Sequence, residues 1–213
     1  VSERTAVKLL TLCCALLLAA PAAAGPADAW SAGLPHSMQF LLEVTFMKID
    51  VADVEVRLDD ATAAAVAAVK AEGEKTDARR DRVADLLADA PVLAYGWTFQ
   101  RTASQEKFLK GMLGSLDRAE EAGELTAAEH AQVRDGLLAH LAPYVERGGI
   151  EGDRMLYRMD GDHATYTYLG HDGALLAHAE YDEPVWGRAF RAMHTGGKSK
   201  LRKKLGELPW RGK

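Results

Sequence analysis

Asp50 is the residue whose setting most invites chemistry. It interrupts an apolar stretch that runs from Phe40 to Leu58, where a carboxylate buried without a partner would be costly. Two placements are open. A bulge turns it to solvent, where unpaired carboxylates usually sit, or it lies at the mouth of a pocket, where it would accept a proton or hold a polar group of a ligand. The histidines at 36, 130, 140, 163, 171, 178 and 194 contain no i, i+4 pair of the kind that holds a metal on one helix face. His163, His171 and His178 fall on successive segments that a hairpin would bring together, although a solvated or hydrogen-bonded role is simpler for each. No metal and no cofactor are expected. There is no G-x-S-x-G elbow, and Ser104 reads as a helix-start residue. Gly148-Gly149 and Gly196-Gly197 lack the lysine and the strand–loop–helix setting of a phosphate loop, and read as helix ends. Tyr157, Tyr166, Tyr168 and Tyr181, with Trp186 and Phe190 nearby, form a stripe more typical of a core or a sheet surface than of a ligand site.

Composition narrows the setting. Arg4 and Lys8 precede an apolar run from Leu9 to Ala20, followed by Pro21 and the small residues 22–25. A basic start, an apolar centre and an A-x-A site make a cleavable secretory signal. The run is shorter than the ~20 residues of a membrane-spanning helix. Cleavage after Ala24 is the first choice, and Ala27-Asp28-Ala29 offers a second site before Trp30. The protein is therefore expected in the periplasm or secreted. Cys13 and Cys14 lie inside the signal, so the mature chain would carry no disulfide, thiol nucleophile or cysteine-based metal site. Losing Arg4, Lys8 and Glu3 moves the net charge from −5 to −6, which argues against a nucleic-acid partner. The remaining length is enough for one domain with a full core. The basic segment of Lys198, Lys200, Arg202, Lys203, Lys204, Arg211 and Lys213 is either a solvated helix end or a weak contact for an anionic membrane surface. A monomer is expected.

The elements follow from periodicity. Residues 25–37 read as a lead-in, 38–208 as the domain and 209–213 as a tail. Between Phe40 and Leu58 the apolar alternation changes phase twice, to Met47, Ile49 and Val51 and then to Val54, Val56 and Leu58. This predicts two strands, or one strand with bulges. Residues 60–71 read as a helix capped by Asp59 or Asp60, and Asp77 to Leu87 as a second. Val92 to Gln100 reads as a strand with Leu93, Tyr95, Trp97 and Phe99 on one face. Thr102 with Gln105 and Thr126 with Glu129 are capping boxes that open two long helices. Arg154–Met159, His163–Leu169 and Ala174–Tyr181 read as hairpin-linked strands. A helix capped by Asp182 and a short basic helix around Leu201 and Leu205 follow. Unequal runs of strands and helices favour α+β.

Three stretches together resemble the chalcone isomerase-like family: Phe46-Met47-Lys48-Ile49-Asp50-Val51, the strand end and helix start from Thr98 to Glu106, and the closing strand–hairpin–helix unit from Gly152 to Leu208. The resemblance implies an open-faced sandwich, a large antiparallel β-sheet with a layer of helices packed on it and a pocket between them. The family includes isomerases that close flavanone rings, fatty-acid-binding relatives and exported bacterial members, the branch that the signal fits. The isomerase chemistry does not carry over. The family's first-strand Arg would fall within Met38–Leu42, which has none, its strand Thr corresponds to Asp50, and its helix-start Tyr to Ser104-Gln105. Without a cationic oxyanion stabiliser most of the required transition-state stabilisation is missing. The resemblance thus favours a non-catalytic binder of a small apolar or lipid-like ligand, lined by Phe46, Asp50, Trp97, Phe99, Gln100, Phe108 and Met112. An intramolecular lyase or isomerase with Asp50 as general base is the second reading, and a structural or partner-binding domain without a pocket is the third.

Overall fold

The computed structural model describes residues 25–44, 49–72 and 76–207. Its strands are β1 (His36–Val44), β2 (Ile49–Leu58), β3 (Val92–Phe99), β4 (Arg154–Asp160), β5 (His163–Leu169) and β6 (Leu175–Tyr181). They form one six-stranded antiparallel sheet in sequence order. The helices are α1 (Pro26–Ala29), α2 (Asp60–Ala71), α3 (Asp77–Ala88), α4 (Gln105–Glu121), α5 (Ala127–Val145), α6 (Pro184–Thr195) and α7 (Lys200–Glu207). This is the α+β arrangement that the periodicity and the resemblance imply. No described helix is long and apolar enough to cross a membrane.

Alternation decides which side of the sheet the helices cover. Met38 and Phe40 of β1, Val54, Val56 and Leu58 of β2, and Leu93, Tyr95 and Phe99 of β3 are buried on one face. Met155, Tyr157 and Met159 of β4, with Ala164, Tyr166 and Tyr168 of β5, continue it. The phase change in the first hairpin is a bulge: Leu42 pairs with Ala52 and Glu43 with Asp50, which leaves Val51 with no cross-strand partner.

The helices begin and end where side chains can satisfy their free backbone groups. Asp59 caps α2 by accepting from the Thr62 N–H at 2.8 Å, and Thr126 and Glu129 form a full capping box on α5. Two expected caps are used otherwise. α4 starts from Ser104, and the Thr102 hydroxyl accepts from the Glu151 N–H instead (3.2 Å). α6 starts after Glu183 with Pro184 in its first turn, and Asp182 bonds the His163 ring (2.8 Å). Across the helical layer, α6 lies over β4 and β5 and touches α3, α4 and α5. Trp186 of α6 stacks on Tyr181 at 3.6 Å between ring centroids and fills the space beside Gly136, where a Cβ would come within 2.5 Å of its ring. Arg202 of α7 reaches Asp81 and Asp85 of α3.

The opposite face of the sheet is partly covered by residues 25–35. Trp30 and Leu34 are buried there against Ala94, Leu156 and Leu169. The Trp30 ring lies over Gly96 so closely that a Cβ on that glycine would sit 2.9 Å from it. Arg158 secures the segment by donating to the carbonyls of Trp30 (3.3 Å) and Ala32 (2.8 Å).

Candidate functional site

β3 projects Tyr95, Trp97 and Phe99 into the layer between sheet and helices, and two clusters form around them. The first centres on His194 near the end of α6. Its ring stacks on Tyr95 at 4.2 Å and lies 5.0 Å from Tyr157. The hydrogen bonds fix its tautomer: Nδ1–H donates to the Phe190 carbonyl (2.6 Å), and Nε2 accepts from the Trp97 indole N–H (3.1 Å). The imidazole is fully buried, and burial pushes its pKa down to about 4. It is neutral at ordinary pH and has both nitrogens committed.

Tyr95, Tyr157 and Tyr166 occupy one register row, since Tyr95 pairs with Tyr157 and Tyr157 with Tyr166. All are buried, and burial raises their hydroxyl pKa values far above the normal range, so they stay protonated donors. The Tyr157 hydroxyl rests 3.8 Å from Met155 Sδ, a weak contact. The hydroxyls of Tyr95 and Tyr166 have no hydrogen-bond partner among the described residues.

The second cluster closes the end of the layer where β3, α4 and the α5–β4 connection meet. Phe99 meets Phe108 of α4 at 5.8 Å, and Phe108 stacks on Tyr168 at 6.0 Å. Asp153 organises the connection. Its Oδ1 accepts from Arg147 Nη2 (3.0 Å) and the His171 N–H (2.9 Å), and its Oδ2 from the Ile150 N–H (2.9 Å) and the Tyr168 hydroxyl (2.7 Å). This carboxylate has no exposed surface, yet four donors offset the cost of burying it. The Arg147 guanidinium lies 5.8 Å over the Tyr168 ring, and its Nη1 is buried without a partner among the described residues. Gly148, at φ 67°, passes so near Ala103 that a Cβ would overlap its carbonyl. Reciprocal Ala103–Gly149 backbone bonds of 2.7 and 3.1 Å complete the staple.

The structure therefore joins Phe99 and Phe108, places half-buried Trp97 against His194, and buries Met112 in the same core. Gln100 stands apart, donating to Asp53 Oδ2 at 2.6 Å on an exposed part of the chain. Asp50 is placed by its backbone alone, opposite Glu43, and Phe46 lies outside the described residues. His163 and His178 share a groove on the outer face, whereas His171 lies beside Asp153 (3.8 Å). Among the described residues no group of three metal-binding side chains forms. The sequence reading missed His194, Asp153 and Arg147. Arg147 comes from the α5–β4 connection, not from the first strand, where the family's Arg would fall.

Two concavities are described, both outside the layer. One, of about 290 Å³, lies between α1 and the outer face of β4–β6 and includes Trp30, Arg158, His163 and His178. The other, of about 420 Å³, lies over β1–β3 and includes Leu41, Asp53, Glu55 and Thr98.

No protein-family model matches the chain, and no curated protein matches its sequence. Among solved structures it is similar to a fatty-acid binding protein from Arabidopsis thaliana, with 12% identity, a TM-score of 0.52 and coverage of 81% of this chain and 87% of that one. At this identity the likeness concerns the fold, which is the chalcone isomerase-like α+β fold.

Proposed function

We propose that the chain is an exported, non-catalytic member of the chalcone isomerase-like group that binds a small apolar or lipid-like ligand between sheet and helices. The observation that carries this reading is that three buried donors in the layer have no acceptor among the described residues: the Tyr95 and Tyr166 hydroxyls and Arg147 Nη1. Leaving a buried donor unsatisfied costs about 1–3 kcal/mol each, so each such group calls for a partner, and a bound ligand is one that would supply it. Their surroundings are apolar and aromatic, as ligand sites usually are. The fatty-acid binding protein with the same fold supports the reading. Trp97, Phe99, Phe108 and Met112 would line the site. Of the basic C-terminal segment, Lys198 pairs with Glu121 and Arg202 with Asp81 and Asp85. Among the described residues of that segment, Lys200 and Lys204 remain for any weak attraction to an anionic membrane, beside Lys203, Arg211 and Lys213.

The test is organic extraction of the protein purified from its exporting host, followed by mass spectrometry and thermal-shift measurements with lipophiles. A stoichiometric lipophile, or a rise in Tm with one, is the expected result. An empty extract and no shift with any lipophile would remove the reading. A structural or partner-binding domain is the second reading. It is favoured by the position of both concavities outside the layer, and the empty result would select it.

A further inference from the structure

From the unpartnered donors and the charges around them, we infer that the polar end of the ligand is an uncharged acceptor oxygen, a carbonyl or an ether-type oxygen, received by the Tyr95–Tyr157–Tyr166 row. The inference rests on the ligand-binding reading above and narrows its chemistry.

The phenol protons in the layer lack acceptors. The Tyr95 and Tyr166 hydroxyls lack a partner and the Tyr157 hydroxyl has only a sulfur. Trp97 and His194 have satisfied each other. An occupant must therefore bring an acceptor oxygen to use the phenol protons, although a hydroxyl on it can also donate to a phenol oxygen.

Charge decides between an anion and a neutral oxygen. A carboxylate leaving water for this layer needs a cation with a free donor beside it. Arg191, the cation felt by Tyr95, has both terminal nitrogens occupied by backbone carbonyls: Nη1 on Ala88 (3.3 Å) and Ala90 (2.6 Å), and Nη2 on Pro91 (3.3 Å). Arg147, at the other end, keeps one nitrogen, Nη1, without a partner among the described residues, but its charge is matched by Asp153 at 3.0 Å and it also interacts with Asp172. Arg147, Asp153 and Asp172 together carry a net negative charge, and the neighbouring His171 neutralises it only when protonated. His194 is neutral. An anion gains little from this field, whereas a neutral carbonyl gains hydrogen bonds from phenols that otherwise have none.

The same feature couples binding to stability with opposite signs. Removing an unsatisfied buried hydroxyl stabilises the empty protein, because the desolvation cost disappears with the group. Removing the donor that a ligand uses weakens binding. A residue with a purely structural role would move both in one direction.

The experiment uses three probes of one chain length: undecan-2-one, undecanoate at pH 8 and undecane. Binding is followed by Trp fluorescence and calorimetry, first with the unaltered protein and then with Tyr166→Phe and Tyr95→Phe. The ketone is expected to bind at least ~10-fold more tightly than undecanoate or undecane, since one good buried hydrogen bond corresponds to about that factor. At least one of the two variants should raise Tm while losing ~10-fold in ketone affinity, with undecane unchanged. Undecanoate binding as tightly as the ketone, or undecane doing so, would overturn the inference and leave the ligand-binding reading standing. Ketone affinity unchanged in both variants would also overturn it. Failure of all three probes to bind would overturn both readings together.

Discussion

His194 gives the most direct test of the layer, because its consequences depend only on burial and on two hydrogen bonds. Its folded-state pKa is depressed to about 4 from the ordinary 6.5. Below pH 6.5 the unfolded chain takes up a proton that the folded chain refuses, so stability falls as pH falls. The contribution is intact above about 6.5, declines through the acid range and levels off below about 4. The full span corresponds to about 3 kcal/mol, and between pH 7.5 and pH 5 the loss is about 2 kcal/mol. Urea unfolding at these two pH values, for the unaltered protein and for His194→Gln, isolates it. The surface histidines and carboxylates titrate in both proteins and cancel in the difference. The unaltered protein should lose about 2 kcal/mol more than the variant, or about 4–8 °C in Tm for a domain of this size. Equal losses within about 0.5 kcal/mol would mean that protonated His194 is accommodated. The dry layer described here would then be wrong, and with it the argument that its phenols lack partners.

Other substitutions test the parts that hold the layer in place. Asp153→Ala removes the acceptor shared by four donors and strands Arg147; a loss of about 3–5 kcal/mol is expected in chemical denaturation, and a loss below about 1 kcal/mol would refute its organising role. Gly96→Ala forces a methyl to 2.9 Å from the Trp30 ring; it should cost about 1–3 kcal/mol and expose residues 25–35 to limited proteolysis, which an intact Trp30 contact would prevent. Gly136→Ala meets Trp186 at 2.5 Å and should disturb the Trp186–Tyr181 stack, visible as a change in near-UV circular dichroism. If the export reading holds, the mature N-terminus read by intact mass should be Gly25, since cleavage after Ala29 would place a charged amine on the buried Trp30.

The elements that sequence made visible are those governed by local rules. The period of two in Leu93, Tyr95, Trp97 and Phe99 assigns the inner face of β3 without knowledge of its neighbours, and that face is the one the helices cover. Thr126 and Glu129 cap a helix because their partners are each other. Thr102 and Gln105 have the same spacing, but a distant N–H, that of Glu151, takes the threonine hydroxyl. Asp153 is the extreme case. Its partners lie 6, 15 and 18 residues away, besides the near Ile150 N–H, and meet only after β4 and β5 have paired. Nothing in the string from Gly148 to Asp153 distinguishes it from an ordinary loop.

The candidate site was legible to the same degree and for the same reason. Aromatic and apolar residues on an inner face declare themselves by position, so the packing of Trp97, Phe99, Phe108 and Met112 in the layer is readable from sequence. A donor without an acceptor is not a property of a residue. It exists only when every neighbouring group has been assigned elsewhere, as the Trp97 indole is to His194 and the Arg191 fork to three carbonyls. In a protein whose ligand is mostly apolar, few polar residues mark the site in sequence, and the informative ones look like core. Tyr95 and Tyr166 would be exchangeable for phenylalanine on packing grounds alone, and phenylalanine would be the more stable choice. Their hydroxyls are therefore the part of the layer that packing does not explain, and the part on which a functional reading has to rest.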